Sequence, residues 1–549
     1  MPGPGPDPGP DPGPGHDLGP DLPLDLDLEL DLVERPFTER GSRLLVTAGP
    51  DGLRVARAQY ETPLDATTEL TALVVRDRDG RPAPVVSATP TGVEFANGAT
   101  LMFADTATLV IAGRDGRARW RLPDGTERTL ALTGCHVLTG PPGHWSAPAV
   151  RAAARARWDQ WFARMPAVRP DLAERARMAW WTLAVNLLPI GGREGLVPSK
   201  YGYVGVWNWD ALFHAVGLRH AWPALARDQI LLLLDHQLPD GRLPDVVHDH
   251  GVLAETTDLP RSDLARLGEH VGRANGAAPS SGVVPVTKPP LAAWAVWKVH
   301  EADPDVPFLA AVYPKLVRAH TWWFSHSDPD GDGLPEYLHP YSSGLDDSPV
   351  WDHGPRAEPP DLNSYLVLQA DRLADIADAI GLPSEAEDWR ARAAGHAALL
   401  VAERWNGTRF TTLAAGEEVP VRTVLDLMPL LTGRLPADVA ATLERTLRSA
   451  AFWGEHPVPT VAFDDPAFAP DAMWRGPVWL NVNHLLVEGL RRSGFAATAE
   501  ELRQRTLAMV RDAGGLYEYW NPLTGARAAG ATSGFGWSAA LFIDLACGE

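Results

Sequence analysis

At 549 residues the chain is long enough for a large domain and a smaller module. Its 70 acidic against 49 basic residues give a formal charge of −21, which argues against nucleic acids and anionic membranes as partners, since these require clustered Lys and Arg. Two cysteines, Cys135 and Cys547, are too few for a disulfide framework and lack the spacing of a zinc ribbon, so a reducing interior is expected.

Residues 1–35 repeat Pro-Gly-Asp and then Asp-Leu, with nine carboxylates against Arg35 alone. Such a composition buries too little apolar surface to offset the entropy of ordering, and it predicts a disordered tail. The N-terminus has neither the basic n-region nor the apolar h-region of a secretory signal. Nor does any later apolar run reach membrane-spanning length. A cytoplasmic protein with no nucleic-acid or membrane partner is expected, and no feature indicates an oligomeric state.

Between residues 36 and 145, runs such as TALVV, GVEF, ATLVIAG and RTLALTG are separated by Asp79-Gly80, Asn97-Gly98, Asp115-Gly116 and Asp124-Gly125. That spacing predicts an antiparallel β-sandwich. From 146 to 549 the texture changes to Ala, Leu and Arg at helical spacing without returning alternation. Helices are predicted near 208–237, 289–303, 307–326, 361–404, 423–449, 477–511 and 535–547, mostly in consecutive pairs. Paired helices over this length suit a toroid of two concentric helix rings around a central pit.

The loops between these helices combine Trp, Gly, Pro and carboxylates. Trp is the commonest aromatic, 21 against 14 Phe and 9 Tyr, and flat indoles suit the C–H faces of sugars, although Trp also fills space between helices. Trp207-Asn208-Trp209-Asp210 puts a carboxylate at a helix start, where it either caps the helix or meets sugar hydroxyls. Gln237, Asp240 and Asp245 follow in a segment that lines the same pit or simply turns.

Asp328, Asp330, Asp332 and Glu336 occupy positions 1, 3, 5 and 9 around Gly333 at position 6, as in a calcium loop, but His339 stands at position 12 in place of the bidentate Glu. Either a structural Ca2+ or a metal-free turn accounts for them. Asp346 and Asp347 lie in a loop closed by Pro349, and Glu518 lies among Tyr517, Tyr519 and Trp520, surroundings that disfavour ionisation. Glycoside hydrolysis needs one carboxylic acid and one carboxylate, and these two loops supply such a pair.

Six segments in order resemble glycoside hydrolase family 63 and the related mannosylglycerate and glucosylglycerate hydrolases. They are Trp207 to Asp210, Pro289-Pro-x-x-Ala-Trp-Ala, Ser343-Gly-x-Asp346-x-Ser-Pro, Asp361-Leu-Asn-Ser-Tyr-Leu, Trp474-Arg-Gly-Pro-Val-Trp479 and Glu518-Tyr-x-Asn-Pro-x-Thr-Gly. The resemblance implies a mainly α protein, an (α/α)6 toroid behind a small β-sandwich, and an inverting α-glycosidase acting on a short α-glucoside, α-mannoside or glycosylglycerate. By the same resemblance Asp346 falls on the general acid and Glu518 on the general base.

Tyr203, Trp207, Trp209 and Asp210 would then line a sugar subsite, with Trp474 and Trp479 opposite and Gln237 and Asp347 nearby. No cofactor is required for the chemistry, and some members hold calcium in a loop like that of Asp328 to Glu336. The chain departs from the family with Asp347 where Asn is usual, Ser342 where Glu often stands and Met473 in place of a common Tyr. A trehalase or debranching-type glucosidase on the same toroid, or a catalytically silent sugar-binding protein, are the rival readings.

Overall fold

In the computed structural model, which describes residues 28–276 and 282–548, the β-branched runs form strands as far as Thr139 and the Ala/Leu-rich stretches form helices from Ala147 onward. The strands are β1 (Leu44–Gly49), β2 (Gly52–Arg57), β3 (Thr68–Arg76), β4 (Pro82–Ala83), β5 (Val85–Thr89), β6 (Gly92–Phe95), β7 (Thr100–Phe103), β8 (Leu109–Gly113), β9 (Arg117–Arg121), β10 (Glu127–Ala131) and β11 (Gly134–Thr139). They make two antiparallel sheets, β1-β2-β3-β9-β10 with β4 on β3, and β11-β8-β7-β6-β5. All four Gly-containing dipeptides stand in connections between consecutive strands.

Side chains alternate across a strand. Leu101, Phe103, Leu109 and Ile111 accordingly enter the main core, while Met102, Val110 and Ala112 on the other face of that sheet pack with Val150.

Of the tail predicted over residues 1–35, residues 1–27 lie outside the described residues, and residues 28–35 correct the expectation. Leu28, Leu30 and Leu32 are buried, the Leu30 amide donates to the Ala88 carbonyl and the Ala48 amide to the Leu32 carbonyl. Each buried leucine contributes about 2 kcal/mol, which offsets part of the entropy of ordering this strap.

The helices are α1 (Ala147–Phe162), α2 (Ala173–Val185), α3 (Asn208–Leu218), α4 (Pro223–Asp235), α5 (Arg261–His270), α6 (Ala292–Ala302), α7 (Val306–His326), α8 (Pro360–Ala379), α9 (Pro383–Arg404), α10 (Ala437–Leu447), α11 (Leu480–Arg492), α12 (Ala496–Asp512) and α13 (Gly536–Cys547). The protein is thus helical with several antiparallel sheets. The start of the 423–449 segment is a 3-10 helix, Val424–Thr432, with Pro429 inside it. α3, α6, α8, that 3-10 helix, α11 and α13 are neighbours in turn, and α13 returns to α3. α2, α4, α7, α9, α10 and α12 each pack on a member of this cycle.

The sequence predicts no strands after residue 148, yet Leu187–Ile190 pairs with Arg193–Leu196, and Val206–Trp207 pairs with Val246–His248. They are too short for alternation to register. Among the described residues no helix is long and apolar enough to cross a membrane. Cys135 and Cys547 are both free.

Candidate active site

The Trp207-to-Asp210 segment is fixed from both sides. Val206 and Trp207 pair with Val247 and Val246, and α3 begins at Asn208 with Trp207 in the cap position. Asp210 therefore falls in the first turn, buried, and does not cap the helix. Trp209 packs edge-on against Trp537 with centroids 5.6 Å apart and tilts against Trp474 at 6.1 Å.

The loop carrying Asp346 is seated against the same indole. Gly344 has φ +73°, and a Cβ there would overlap the Trp209 ring, so both the left-handed backbone and the close approach require glycine. Across from it, Trp474 and Trp479 stack at 3.5 Å and 6°, and Trp479 also stacks on Tyr519 at 4.6 Å. The Trp479 indole N–H donates to the Met473 carbonyl at 2.8 Å.

These elements line one open cavity of about 50 Å³. Of the residues singled out in the sequence, Tyr203, Trp207, Trp209, Asp210, Asp346, Trp474, Trp479 and Glu518 all line it. Sequence reasoning missed Lys288, Phe535 and Trp537, which complete the wall. Lys288 sits beside Pro289-Pro290 and reads as an ordinary turn lysine, and Trp537 reads as one more apolar residue of α13; only their opposition to the carboxylates distinguishes them. A larger cavity of about 750 Å³ lies between Arg40, Trp161 and Trp222, away from both Asp346 and Glu518.

Burial dominates the electrostatics of this site. It pushes Asp346 up to about 7 against the opposing pull of Lys288 and Arg266. It also pushes Glu518 up to about 7, opposed by the Thr532 amide and the Tyr203 hydroxyl. Asp210 is held well above the ordinary carboxylate range by burial, with Lys288 opposing.

The two carboxyls differ in their partners. Glu518 Oε2 accepts the Thr532 N–H at 3.2 Å, and the Tyr203 hydroxyl is near enough to favour its ionised form. Asp346 Oδ1 is buried without a hydrogen-bond partner, and Lys288 Nζ stands 4.0 Å from it. Burial opposes the Lys288 charge, but Asp245 and Asp346 outweigh it and raise its pKa.

Four expected positions are corrected. Gln237 lies outside the cavity because its amide donates to the Gly241 and Lys315 carbonyls, both at 2.8 Å, and its oxygen accepts from Arg318. Asp240 is similarly spent, on the Trp322 indole at 3.0 Å. Asp347 does not line the cavity either: its Oδ1 accepts the Trp474 N–H at 2.9 Å and holds that loop. The fourth is Glu336, whose carboxylate is turned toward Arg356 at 4.0 Å.

Asp328, Asp330 and Asp332 do gather, each with one oxygen within 4.8 Å of the others. Asp328 already accepts the Gly331 and Gly333 amides, and Asp332 accepts the Leu334 amide. An all-oxygen, acidic donor set fits a hard cation. Calcium takes six to eight oxygens, so water or carbonyl oxygen would have to complete the shell.

The family model of the mannosylglycerate hydrolase MGH1-like glycoside hydrolase domain matches residues 203–538. The mannosylglycerate hydrolase of Thermus thermophilus is 31% identical over 431 residues, covering 66% of this chain and 99% of that protein. The glucosylglycerate hydrolase of Mycolicibacterium hassiacum is 26% identical over 419 residues, covering 62% of this chain and 92% of the relative. Among solved structures, a family 63 mannosylglycerate hydrolase from Thermus thermophilus in complex with Tris and D-glycerate superposes with a TM-score of 0.55 at 28% identity, over 67% of this chain and 98% of the other.

Proposed function

Because the chain belongs to the family of mannosylglycerate hydrolase MGH1-like glycoside hydrolases, we propose that it hydrolyses the α-glycosidic bond of a mannosyl- or glucosylglycerate with inversion. That it is a glycoside hydrolase follows from the membership itself; the substrate and stereochemistry are our reading. The observation that carries it is the meeting of Asp346 and Glu518 on one tryptophan-walled cavity.

In this reading Asp346 gives its proton to the glycosidic oxygen as the bond to the anomeric carbon breaks. Glu518 takes a proton from a water that attacks that carbon from the opposite face. The donors on Glu518 favour its anion, whereas no donor reaches Asp346 Oδ1, so the proton belongs on Asp346. Lys288 then offsets the charge left on Asp346. Asp210 and the indoles of Trp207 and Trp209 meet the departing sugar.

An anionic aglycone is supported by Arg266, which donates to the Tyr341 hydroxyl from Nε at 3.2 Å and Nη2 at 2.8 Å. It lies close enough to Asp346 to act on its ionisation. Calcium, where bound, would be held by Asp328, Asp330 and Asp332 and would supply rigidity to the chain leading to Asp346 and no step of the reaction.

We also read the helix cycle with its outer partners as an (α/α)6 toroid over residues 146–549, and the two sheets as a β-sandwich over residues 36–145. The test of function is direct: purified protein should release glycerate from mannosylglycerate or glucosylglycerate. Cleavage of trehalose or neutral α-glycosides with no glycerate release would overturn the substrate assignment.

A further inference from the structure

The strap over residues 28–35 contacts the active-site loops from outside the matched domain, which begins at residue 203. Asp31 Oδ1 accepts the amides of Val33, Glu34 and Arg35 at 2.8, 2.8 and 2.9 Å and folds the strap's end into a fixed turn. Glu34 then projects onto the hairpin that bears Glu518. Its Oε2 accepts the Tyr517 hydroxyl at 3.1 Å and its Oε1 accepts Arg527 Nη1 at 2.8 Å.

Tyr517 and Arg527 stand on opposite arms of that hairpin, which is bridged at Tyr517–Ser533 and at Trp520–Arg527. One carboxylate thus spans both arms immediately beside Glu518, and the Ser533 hydroxyl donates to the Glu34 carbonyl at 3.4 Å. Next along the strap, the Val33 carbonyl accepts the Tyr201 hydroxyl at 2.7 Å, two residues from Tyr203.

We infer that Glu34 is a positioning residue for the general base, holding the Glu518 arm and the Thr532 arm in register so that the Thr532 amide reaches the Glu518 carboxylate. The inference rests on the reading of Glu518 as base. Register matters here because Glu518 N–H donates to Thr532 O at 2.8 Å while Thr532 N–H donates back to Glu518 Oε2 at 3.2 Å. A shift between the arms disturbs both bonds at once. Because Glu34 and Arg527 are partly exposed, at 35% and 39%, their ion pair contributes little to global stability, and its loss should be read in the reaction and not in folding.

The experiment compares Glu34→Ala, Glu34→Gln, Tyr517→Phe and Glu518→Gln in the full chain, with kcat, KM and the pH profile measured on mannosyl- and glucosylglycerate. Glu34→Ala should lower kcat by about ten- to a hundredfold, the scale of a small misplacement of a reacting group, with KM nearly unchanged. Its acidic limb should move to higher pH as Glu518 loses the Thr532 donor. Glu34→Gln keeps an oxygen for Tyr517 and should recover part of the loss. Should Glu34→Ala fail to fold, Tyr517→Phe removes a single hydroxyl and should show the same limb shift in smaller measure. Parental kcat and pH profile in both Glu34→Ala and Tyr517→Phe, with Glu518→Gln inactive, would overturn the positioning role while leaving the base in place. An active Glu518→Gln would instead remove the base assignment, and this inference with it.

Discussion

Lys288 Nζ lies 3.0 Å from Asp245 Oδ1 and 4.0 Å from Asp346 Oδ1, buried between the two carboxyls. Its charge is shared, and the nearer claim is that of Asp245. This leaves Asp346 high enough, at about 7, to hold a proton at neutral pH.

Turnover then requires Glu518 ionised and Asp346 protonated. Rate falls on the acid side as Glu518 takes a proton and on the alkaline side as Asp346 loses one, with both groups near 7, so kcat/KM should trace a narrow bell around neutral pH. Since Lys288 pulls Asp346 down, Lys288→Gln should move the alkaline limb upward. An unmoved limb in a folded variant would separate Lys288 from the acid.

Stability should run against activity. A carboxyl raised in the folded state contributes fully below its unfolded pKa and loses that contribution as pH rises through the folded value, here about 7 for both residues. At pH 8 the parent buries two charges in the cavity. Asp346→Asn and Glu518→Gln should therefore melt above the parent at pH 8 and close to it at pH 5 by calorimetry, while turnover falls by about two to four orders of magnitude. A lower Tm than the parent at pH 8 would mean that the carboxylates are structural.

If Arg266 meets the carboxylate of the aglycone, Arg266→Ala should raise KM for a glycosylglycerate about tenfold, the value of one charged hydrogen bond of roughly 1.5 kcal/mol. KM for a neutral glycoside of the same sugar should stay put. Equal effects on both substrates would assign Arg266 to the Tyr341 contact alone.

Calcium held by Asp328, Asp330 and Asp332 would stabilise the native state by mass action. Added Ca2+ should raise Tm, chelation should lower it, and Asp330→Asn should abolish the difference; Glu336→Gln should not, because Glu336 is turned to Arg356. A Tm indifferent to calcium and chelator would make this loop a turn.

Where sequence carried the site, it did so through residues that no structural need explains, such as a carboxylate directly after two closely spaced tryptophans at Trp207 to Asp210 or a Glu among aromatics at 518. Lys288, Phe535 and Trp537 carry no such mark, since their role arises only when distant segments close on one cavity. Gln237 was drawn in by its neighbours in a turn, and nothing in its own spacing revealed that its amide is fully engaged. The strap was hidden by composition: Asp and Leu repeats read as low complexity, yet Leu28, Leu30 and Leu32 alternate with Glu29 and Asp31 at the period of a one-face-buried extended segment.

The anomer first formed tests the pairing of Asp346 with Glu518 most directly. Proton NMR of early turnover of an α-mannosylglycerate or α-glucosylglycerate should show the β-sugar appearing before mutarotation, as water activated by Glu518 and a proton from Asp346 require. Appearance of the α-sugar first would make Glu518 a nucleophile and contradict the assignment of the pair.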